Sequence, residues 1–171
     1  MRGSTCRPDR HLEMQTPIKF EFLADRPDAA AAIAQWYFDE WGHLRPGTTV
    51  GRVLGKLQGS LNRDRIPLIL LAVAGDEIVG VAELKYREMD CFPEKEHWLG
   101  GVFVAAEYRG KGIAAKLIGK IVELAKPLGV RTLHLQTQRW DGGLYARLGW
   151  KPVQRLRYKG LDVLVMALEI E

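Results

Sequence analysis

The residues whose types and spacing most directly indicate chemistry are Arg109, Gly110, Lys111 and Gly112, within AEYRGKGIA. They follow the strand-like segment VFVA and precede a segment with helical periodicity. The first turn of a helix offers unpaired N–H groups, and glycine lets an anion approach the backbone closely. Two glycines alone would also fit an ordinary tight turn. With the two cations beside them, the pattern favours a phosphate-binding turn.

Two common phosphate-binding motifs do not account for this turn. The Walker loop GxxxxGK[ST] fails, because Lys111 is followed by Gly112 and because Ala105 stands where the first glycine belongs. The dinucleotide motif GxGxxG/A is matched formally by Gly110, Gly112 and Ala115. It also requires an acidic residue at the end of the next strand, and RTLHLQTQ has none. A third motif, Arg/Gln-x-x-Gly-x-Gly/Ala, remains.

Arg109, Gly112 and Ala114 match this third motif, which binds the pyrophosphate of coenzyme A. Over VFVAAEYRGKGIAAKLI the chain therefore resembles the acyl-CoA-binding motif of the GCN5-related N-acetyltransferase (GNAT) family. A second family element follows at the expected distance, since LYARLGW resembles the family's YxxLGF helix and turn, with Trp150 in place of the commoner Phe. The resemblance extends over about residues 18–169.

This resemblance implies acetyl-CoA as co-substrate and no metal. The pantetheine would bond the backbone of the strand that ends at Val104, where that strand diverges from its neighbour at Gln136. The pyrophosphate would lie on the N–H groups at the start of the following helix. The implied cofactor-binding residues are Val102, Phe103, Val104, Arg109, Gly110, Lys111, Gly112, Ile113, Ala114, Gln136 and Tyr145.

Acetyl transfer to an amine requires an oriented thioester, a neutral amine and a proton for the departing thiolate. Tyr145 matches the tyrosine that acts as general acid in this family, and a phenol with a pKa of about 10 is a suitable donor. The alternative is a tyrosine that only packs its short helix. The family draws its base from the central strands, and the candidates here are Glu83, Glu96 and His97. Glu83 ranks first, although an alternating strand also places solvated carboxylates.

The resemblance implies a primary amine as acceptor, on a small molecule, a protein N-terminus or a Lys side chain. WYFDEWGH, at 36–43, supplies aromatic residues and two carboxylates that could receive a cation, and most of these aromatics are expected in the core. The alternative function is a catalytically silent acyl-CoA-binding sensor module. Its distinguishing feature would be the lack of a usable base beside the thioester.

The charge distribution raises a third function, nucleic-acid binding. The chain carries 25 Lys/Arg and 21 Asp/Glu, and residues 107–159 hold twelve of the cations against three of the acids. This excess coincides with the coenzyme A motif and lacks the interleaved exposed aromatics of nucleic-acid binders. We therefore expect no nucleic-acid partner.

The elements that position these residues suggest one fold. Alternating or continuously apolar runs predict strands at 18–23, 67–74, 78–88, 98–105, 131–137, 150–158 and 161–169, with 67–74 buried on both faces. Helical periodicity and helix start and stop residues predict helices at 28–41, 48–61, 112–126 and 141–148. Their order predicts a mixed α/β domain. Its central sheet would be mostly antiparallel, with six to seven strands, flanking helices and one splayed parallel strand pair, as in the GNAT family.

The 171 residues fit one domain, with a flexible N-terminal arm at 1–16 and a single domain at 17–171. No apolar run approaches the roughly 18 residues of a membrane span, so we expect a cytoplasmic protein without a membrane partner. Cys6 and Cys91 do not make a disulfide framework, and the four histidines lack zinc-ligand spacing. The protein would act as a monomer or a homodimer.

Overall fold

The computed structural model describes residues 16–171, so the predicted arm at 1–16 falls outside the described residues except for its last position. A seven-stranded sheet has the order β1-β2-β3-β4-β5-β7-β6. The strands are β1 Ile18–Phe22, β2 Leu68–Ala74, β3 Glu77–Tyr86, β4 His97–Val104, β5 Thr132–Thr137, β6 Lys151–Tyr158 and β7 Leu161–Glu169. All neighbouring strands are antiparallel except the parallel pair β4 and β5. The predicted fold class is confirmed.

Helices cover both faces of the sheet. They are α1 Ala30–Trp41, α2 Val50–Gln58, α3 Ile113–Ala125 and α4 Gly143–Arg147. Ile33 and Tyr37 of α1 pack with Leu71 in one buried cluster, while Leu117 and Ile121 of α3 belong to the cluster on the opposite face. All seven residues of β2 are buried, because helices lie over both of its faces. This explains the uninterrupted apolar sequence LILLAVA.

Helices α2 and α4 are shorter than the sequence predicts, since the predicted ranges were 48–61 and 141–148. The hydroxyl of Thr49 accepts a hydrogen bond from the N–H of Arg52 and caps α2, which ends at Gln58 before Gly59. In α4, Gly142 has a φ of 75°, and the carboxylate of Asp141 accepts a hydrogen bond from the N–H of Gly143. The predicted first residues of α4 therefore form a turn instead of helix.

Strands β4 and β5 separate soon after they meet. Within the described residues their register consists of the pair Trp98 and His134. Further along β4, the register with β3 shifts, so that Gly101 and Val102 face the single residue Ala82. Such a bulge bends the strand that carries the extra residue. The bulge therefore turns the end of β4 away from β5 and opens a gap between them, as the predicted splayed pair requires.

Among residues 16–171, no helix combines the length and the apolar character of a transmembrane span.

Candidate functional site

An open cleft of about 510 Å³ lies beside the end of β4, where β5 no longer pairs with it. It is bounded by the last residues of β4, the turn into α3, the first residues of α3, and α4. Its lining residues are Glu40, Val102, Phe103, Val104, Tyr108, Arg109, Gly110, Gly112, Ile113, Ala114, Ala115, Leu144 and Arg147. The cleft thus joins a sheet edge to a helix N-terminus.

Eight of the eleven predicted cofactor-binding residues line this cleft. The three that do not are Lys111, Gln136 and Tyr145. The cleft also includes Glu40 from α1, which the sequence indicated only as a carboxylate of WYFDEWGH, and Arg147 from α4, which the sequence did not indicate. Both come from elements distant in sequence from the glycine-rich turn before α3. A spacing motif gives no signal for such residues.

The turn into α3 has the geometry expected of an anion site. Gly110 and Gly112 have φ values of 77° and 78°, a region that favours glycine. A Cβ built on either glycine would meet no heavy atom within 4 Å, so both face open space. Gly112 directly precedes α3, and the first N–H groups of a helix have no partner within the helix. These groups and the helix dipole provide donors and positive potential at the cleft.

Arg109 is folded back onto the end of β4. Its Nε donates a hydrogen bond of 2.9 Å to the carbonyl oxygen of Val104, and its guanidinium lies 5.4 Å from the centre of the Phe103 ring. These contacts connect the turn to the end of β4, and they hold the positive charge of Arg109 at the cleft. Its remaining N–H groups are suitable donors for a phosphate.

Tyr145, on α4, is partly buried and lies edge to face with Trp150, with ring centres 6.2 Å apart. Burial raises the pKa of its phenol, which therefore stays protonated through neutral pH. Its helix neighbours Leu144 and Arg147 line the cleft. A protonated phenol on the helix that borders the cleft is suited to donate a proton. The ring of Tyr145 also packs against Trp150.

A second group of polar residues meets at the β4 bulge, on the α1 face of the sheet. The hydroxyl of Tyr37 donates a hydrogen bond of 2.7 Å to the carbonyl oxygen of Gly101. A Cβ built on Gly101 would collide with the Tyr37 hydroxyl and would lie 2.8 Å from Glu83 Oε1. Only glycine therefore lets the phenol and the carboxylate approach the bulge together.

Of the three candidate bases, Glu83 is the one at this bulge. Its side chain is only 14% exposed. Glu96 lies in an exposed position before β4, and the ring of His97 is 5.5 Å from that of Tyr86 at the start of the strand. The structure thus brings together Glu83 and the bulge, and it separates Glu96 and His97 from them.

Tyr37 is the residue at the bulge that the sequence did not indicate. Burial, followed by the negative charge of Glu83, raises the pKa of the Tyr37 phenol well above its usual value. The phenol therefore remains a hydrogen-bond donor to Gly101. Trp36 and Trp41 pack their rings 5.2 and 6.4 Å from that of Phe103. The aromatics of WYFDEWGH thus mainly connect α1 to β4.

Tyr37→Phe is expected to lower the free energy of unfolding by about 1 to 2 kcal/mol, because the part-buried Gly101 carbonyl loses its donor. Urea titration followed by circular dichroism measures this change. Tyr108→Phe is the matched control, since its hydroxyl bonds exposed Glu77 and its loss should cost below about 0.5 kcal/mol. Equal free energies of unfolding for the two variants would show that the Tyr37 hydrogen bond to Gly101 does not stabilise the fold.

Within residues 16–171, no group of three or more His, Cys, Asp or Glu side chains is arranged to hold a metal ion.

Comparison with known proteins identifies the family to which the chain belongs. The sequence model of the acetyltransferase (GNAT) family matches residues 30–150, most of the chain, including AEYRGKGIA and LYARLGW. No curated protein sequence matches the chain significantly.

Many solved structures share the fold. Aminoglycoside 6'-acetyltransferase type Ii has a TM-score of 0.68 and 20% identity, over 91% of this chain and 97% of its own. An aminoglycoside 6'-N-acetyltransferase complexed with coenzyme A has a TM-score of 0.68 and 17% identity, over 91% and 97%. The protein yncA from Salmonella typhimurium, with its cofactor acetyl-CoA, has a TM-score of 0.69 and 18% identity, over 90% and 94%. At these identities the likeness concerns the fold.

Proposed function

The chain belongs to the acetyltransferase (GNAT) family, and from this premise we propose that it transfers the acetyl group of acetyl-CoA to a primary amine. The acceptor would be a small molecule, a protein N-terminus or a Lys side chain, attacking directly in a ternary complex. The observation that carries this proposal is the cleft beside β4. It joins an unpaired strand edge to the glycine-rich turn before α3, and it reaches Val102 next to the bulge at Gly101.

The cleft has donors for each part of the cofactor. The backbone of Val102 and Phe103 lies along the edge that β5 has left, so an extended pantetheine amide chain can bond there as an added strand would. The pyrophosphate would lie on the N–H groups that follow Gly112, with Arg109 beside it. This arrangement would direct the thioester toward the bulge.

The reaction requires two proton transfers. The amine nitrogen attacks the thioester carbonyl carbon, so that a C–N bond forms and the C–S bond breaks. Glu83 would take the proton that the amine loses, since its carboxylate lies at the bulge. Tyr145 would give its phenol proton to the departing sulfur, leaving the free thiol of coenzyme A and an amide. No step requires a metal ion or another cofactor.

The physiological setting is part of the same proposal. We infer that residues 17–171 act as a single domain in the cytoplasm, as a monomer or homodimer, without nucleic-acid or membrane partners. Two of the cations of residues 107–159 support this, because Arg109 and Arg147 line the cleft and an anionic cofactor would neutralise them.

An acceptor screen with purified protein tests the proposal. Acetyl-CoA is incubated with spermidine, kanamycin, an Ala-Lys dipeptide or N-acetyl-lysine amide, and free thiol release is followed with time. Acetyl transfer predicts amine-dependent thiol release together with acetylated acceptor detected by mass spectrometry. A silent acyl-CoA-binding module predicts saturable acetyl-CoA binding in calorimetry without thiol release above the protein-free rate for any amine in a broad panel.

Acetyl-CoA at about a hundredfold excess over its Kd is expected to raise the Tm by roughly 5 to 10 °C, because it binds the folded state only. Differential scanning fluorimetry measures the shift. A 20-base-pair DNA duplex at the same concentration is the comparison, and it should change the Tm by less than about 1 °C. A larger shift with DNA than with acetyl-CoA would instead support nucleic-acid binding by the basic segment.

A further inference from the structure

A chain of polar side chains spans three strands beside the bulge, on the α1 face of the sheet. Lys85 Nζ lies 2.5 Å from Glu88 Oε2 and 3.9 Å from Glu83 Oε2. On β5, Gln136 Nε2 donates a hydrogen bond of 3.1 Å to Glu88 Oε1. The ammonium group therefore lies between two carboxylates, one of which is held by a strand on the far side of β4.

The backbone of β4 leaves room for this lysine. Gly100 pairs with Glu83 across the sheet, and a Cβ built on Gly100 would collide with the end of the Lys85 side chain. The Lys85 stem therefore lies directly over Gly100. A side chain at position 100 would displace the ammonium from the two carboxylates.

These charged groups are poorly exposed, so water screens them weakly. The side chains of Lys85, Glu83 and Glu88 are 26%, 14% and 16% exposed. Charges at such distances interact several-fold more strongly than they would in water. Lys85 and its carboxylates are thus electrostatically coupled.

The pKa values of Lys85 and Glu88 reflect this interaction. Burial lowers the pKa of Lys85, but Glu83 and Glu88 outweigh it and raise that pKa overall. Burial raises the pKa of the Glu88 carboxyl. The charge and hydrogen bond of Lys85, and the hydrogen bond from Gln136, outweigh burial, so the pKa of Glu88 is lowered overall. The groups that face Glu83 are Tyr37 from α1, Lys85 from β3 and Glu88 after β3, and Arg45 adds positive charge near Lys85 and Glu88.

We propose that Lys85 is a positioning residue whose ammonium group offsets the negative charge of Glu83 and holds that carboxylate toward the bulge, and that Glu88 and Gln136 hold Lys85 in place. Without the ammonium group, two poorly solvated carboxylates would face each other, and one would retain a proton to higher pH. A Glu83 carboxyl group that carries a proton, or that is turned away from the bulge, cannot take the proton that the amine loses. The inference rests on the proposed function in taking Glu83 as the base.

The first test measures protonation directly, without an acetyl acceptor. Carbon-13 NMR of the side-chain carboxyls, with the Glu83 signal assigned through Glu83→Gln, gives the titration of Glu83 in wild-type protein and in Lys85→Met. The expected result is a titration midpoint at least about one pH unit higher in Lys85→Met. Lys85→Met/Glu88→Gln should move it back toward the wild-type value, because the second carboxylate is neutralised.

Lys120→Met is the matched control. Lys120 makes an ion pair of 2.8 Å with Glu123 on the solvent face of α3, so the substitution removes the same charge at a site remote from the bulge. Its Glu83 titration should equal that of the wild type. If Lys85→Met does not fold, Gln136→Leu takes its place, since it releases Glu88 and should shift the Glu83 titration in the same direction by a smaller amount.

The second test is the pH profile of kcat/KM with an acceptor found in the screen. At the Glu83 titration midpoint that NMR gives for Lys85→Met, this variant should lose about twofold in kcat/KM, and the loss should grow as the pH falls below that midpoint and disappear toward pH 9, with unchanged acetyl-CoA affinity. An unshifted Glu83 titration, or a loss of equal size at every pH, would overturn the role of Lys85. If the wild type transfers no acetyl group to any amine, the proposed function fails, and the NMR titration still decides the role of Lys85.

Discussion

Tyr145→Phe is expected to lower kcat by about 10- to 10⁴-fold while the affinity for acetyl-CoA remains nearly unchanged. The substitution keeps the ring and its edge-to-face contact with Trp150, and it removes only the hydroxyl. Because burial raises the pKa of the phenol, wild-type Tyr145 is protonated at neutral pH, and its capacity to donate is lost only as the pH rises through that raised value. The loss in the variant should therefore be constant across neutral pH.

The measurement must separate chemistry from folding. Single-turnover kinetics gives the chemical step, calorimetry the acetyl-CoA affinity, and thermal unfolding the Tm, all on one preparation. Tyr86→Phe is the control, since Tyr86 is 46% exposed and lies against His97, away from the cleft. An unchanged kcat with a stability loss on the order of 1 kcal/mol would show that Tyr145 is structural.

Gly112→Val is expected to weaken acetyl-CoA binding by at least about 100-fold. A Cβ at this position points into open space at the cleft, where the pyrophosphate would approach the α3 N–H groups, so a branched side chain blocks that approach. The φ of 78° adds backbone strain, which costs about 1 to 2 kcal/mol of stability. Isothermal titration calorimetry measures the affinity.

Gly129→Val separates these two effects. Gly129 follows α3 with a φ of 82°, and a Cβ there also meets no heavy atom within 4 Å. It should lose similar stability and keep the wild-type affinity, because it does not line the cleft. Equal acetyl-CoA affinities in folded Gly112→Val and Gly129→Val would contradict a phosphate site at the turn before α3.

The contacts at the bulge illustrate what sequence reasoning did not predict. Tyr37 and Gly101 are 64 residues apart, and Glu88 and Gln136 are 48 apart. No local period relates such pairs, and Tyr37 has the spacing of an ordinary buried position on an amphipathic helix. Lys85 likewise fits the polar side of an alternating strand. These side chains meet because, in the folded chain, α1 lies against β4 and the segment after β3 lies beside β5.

For Arg109, the position could be predicted from the sequence, but its contacts could not. Its position before Gly110 and Gly112 follows from the local sequence, and so does its place at the cleft. The hydrogen bond to Val104 and the contact with the Phe103 ring were not predicted, because they depend on how the turn folds back onto β4.

The sequence by itself determined the family, the sheet with its helices, and the glycine-rich turn before α3. Strand alternation, helical periodicity and the glycine spacing are local properties, and they depend on backbone sterics and on which side of an element is apolar. The tertiary structure alone decided that Glu83, and neither Glu96 nor His97, lies at the bulge, and that Lys85 lies between Glu83 and Glu88. These arrangements arise from the bend in β4 and from distant segments that converge there, and contacts between distant segments leave no periodic pattern in the chain.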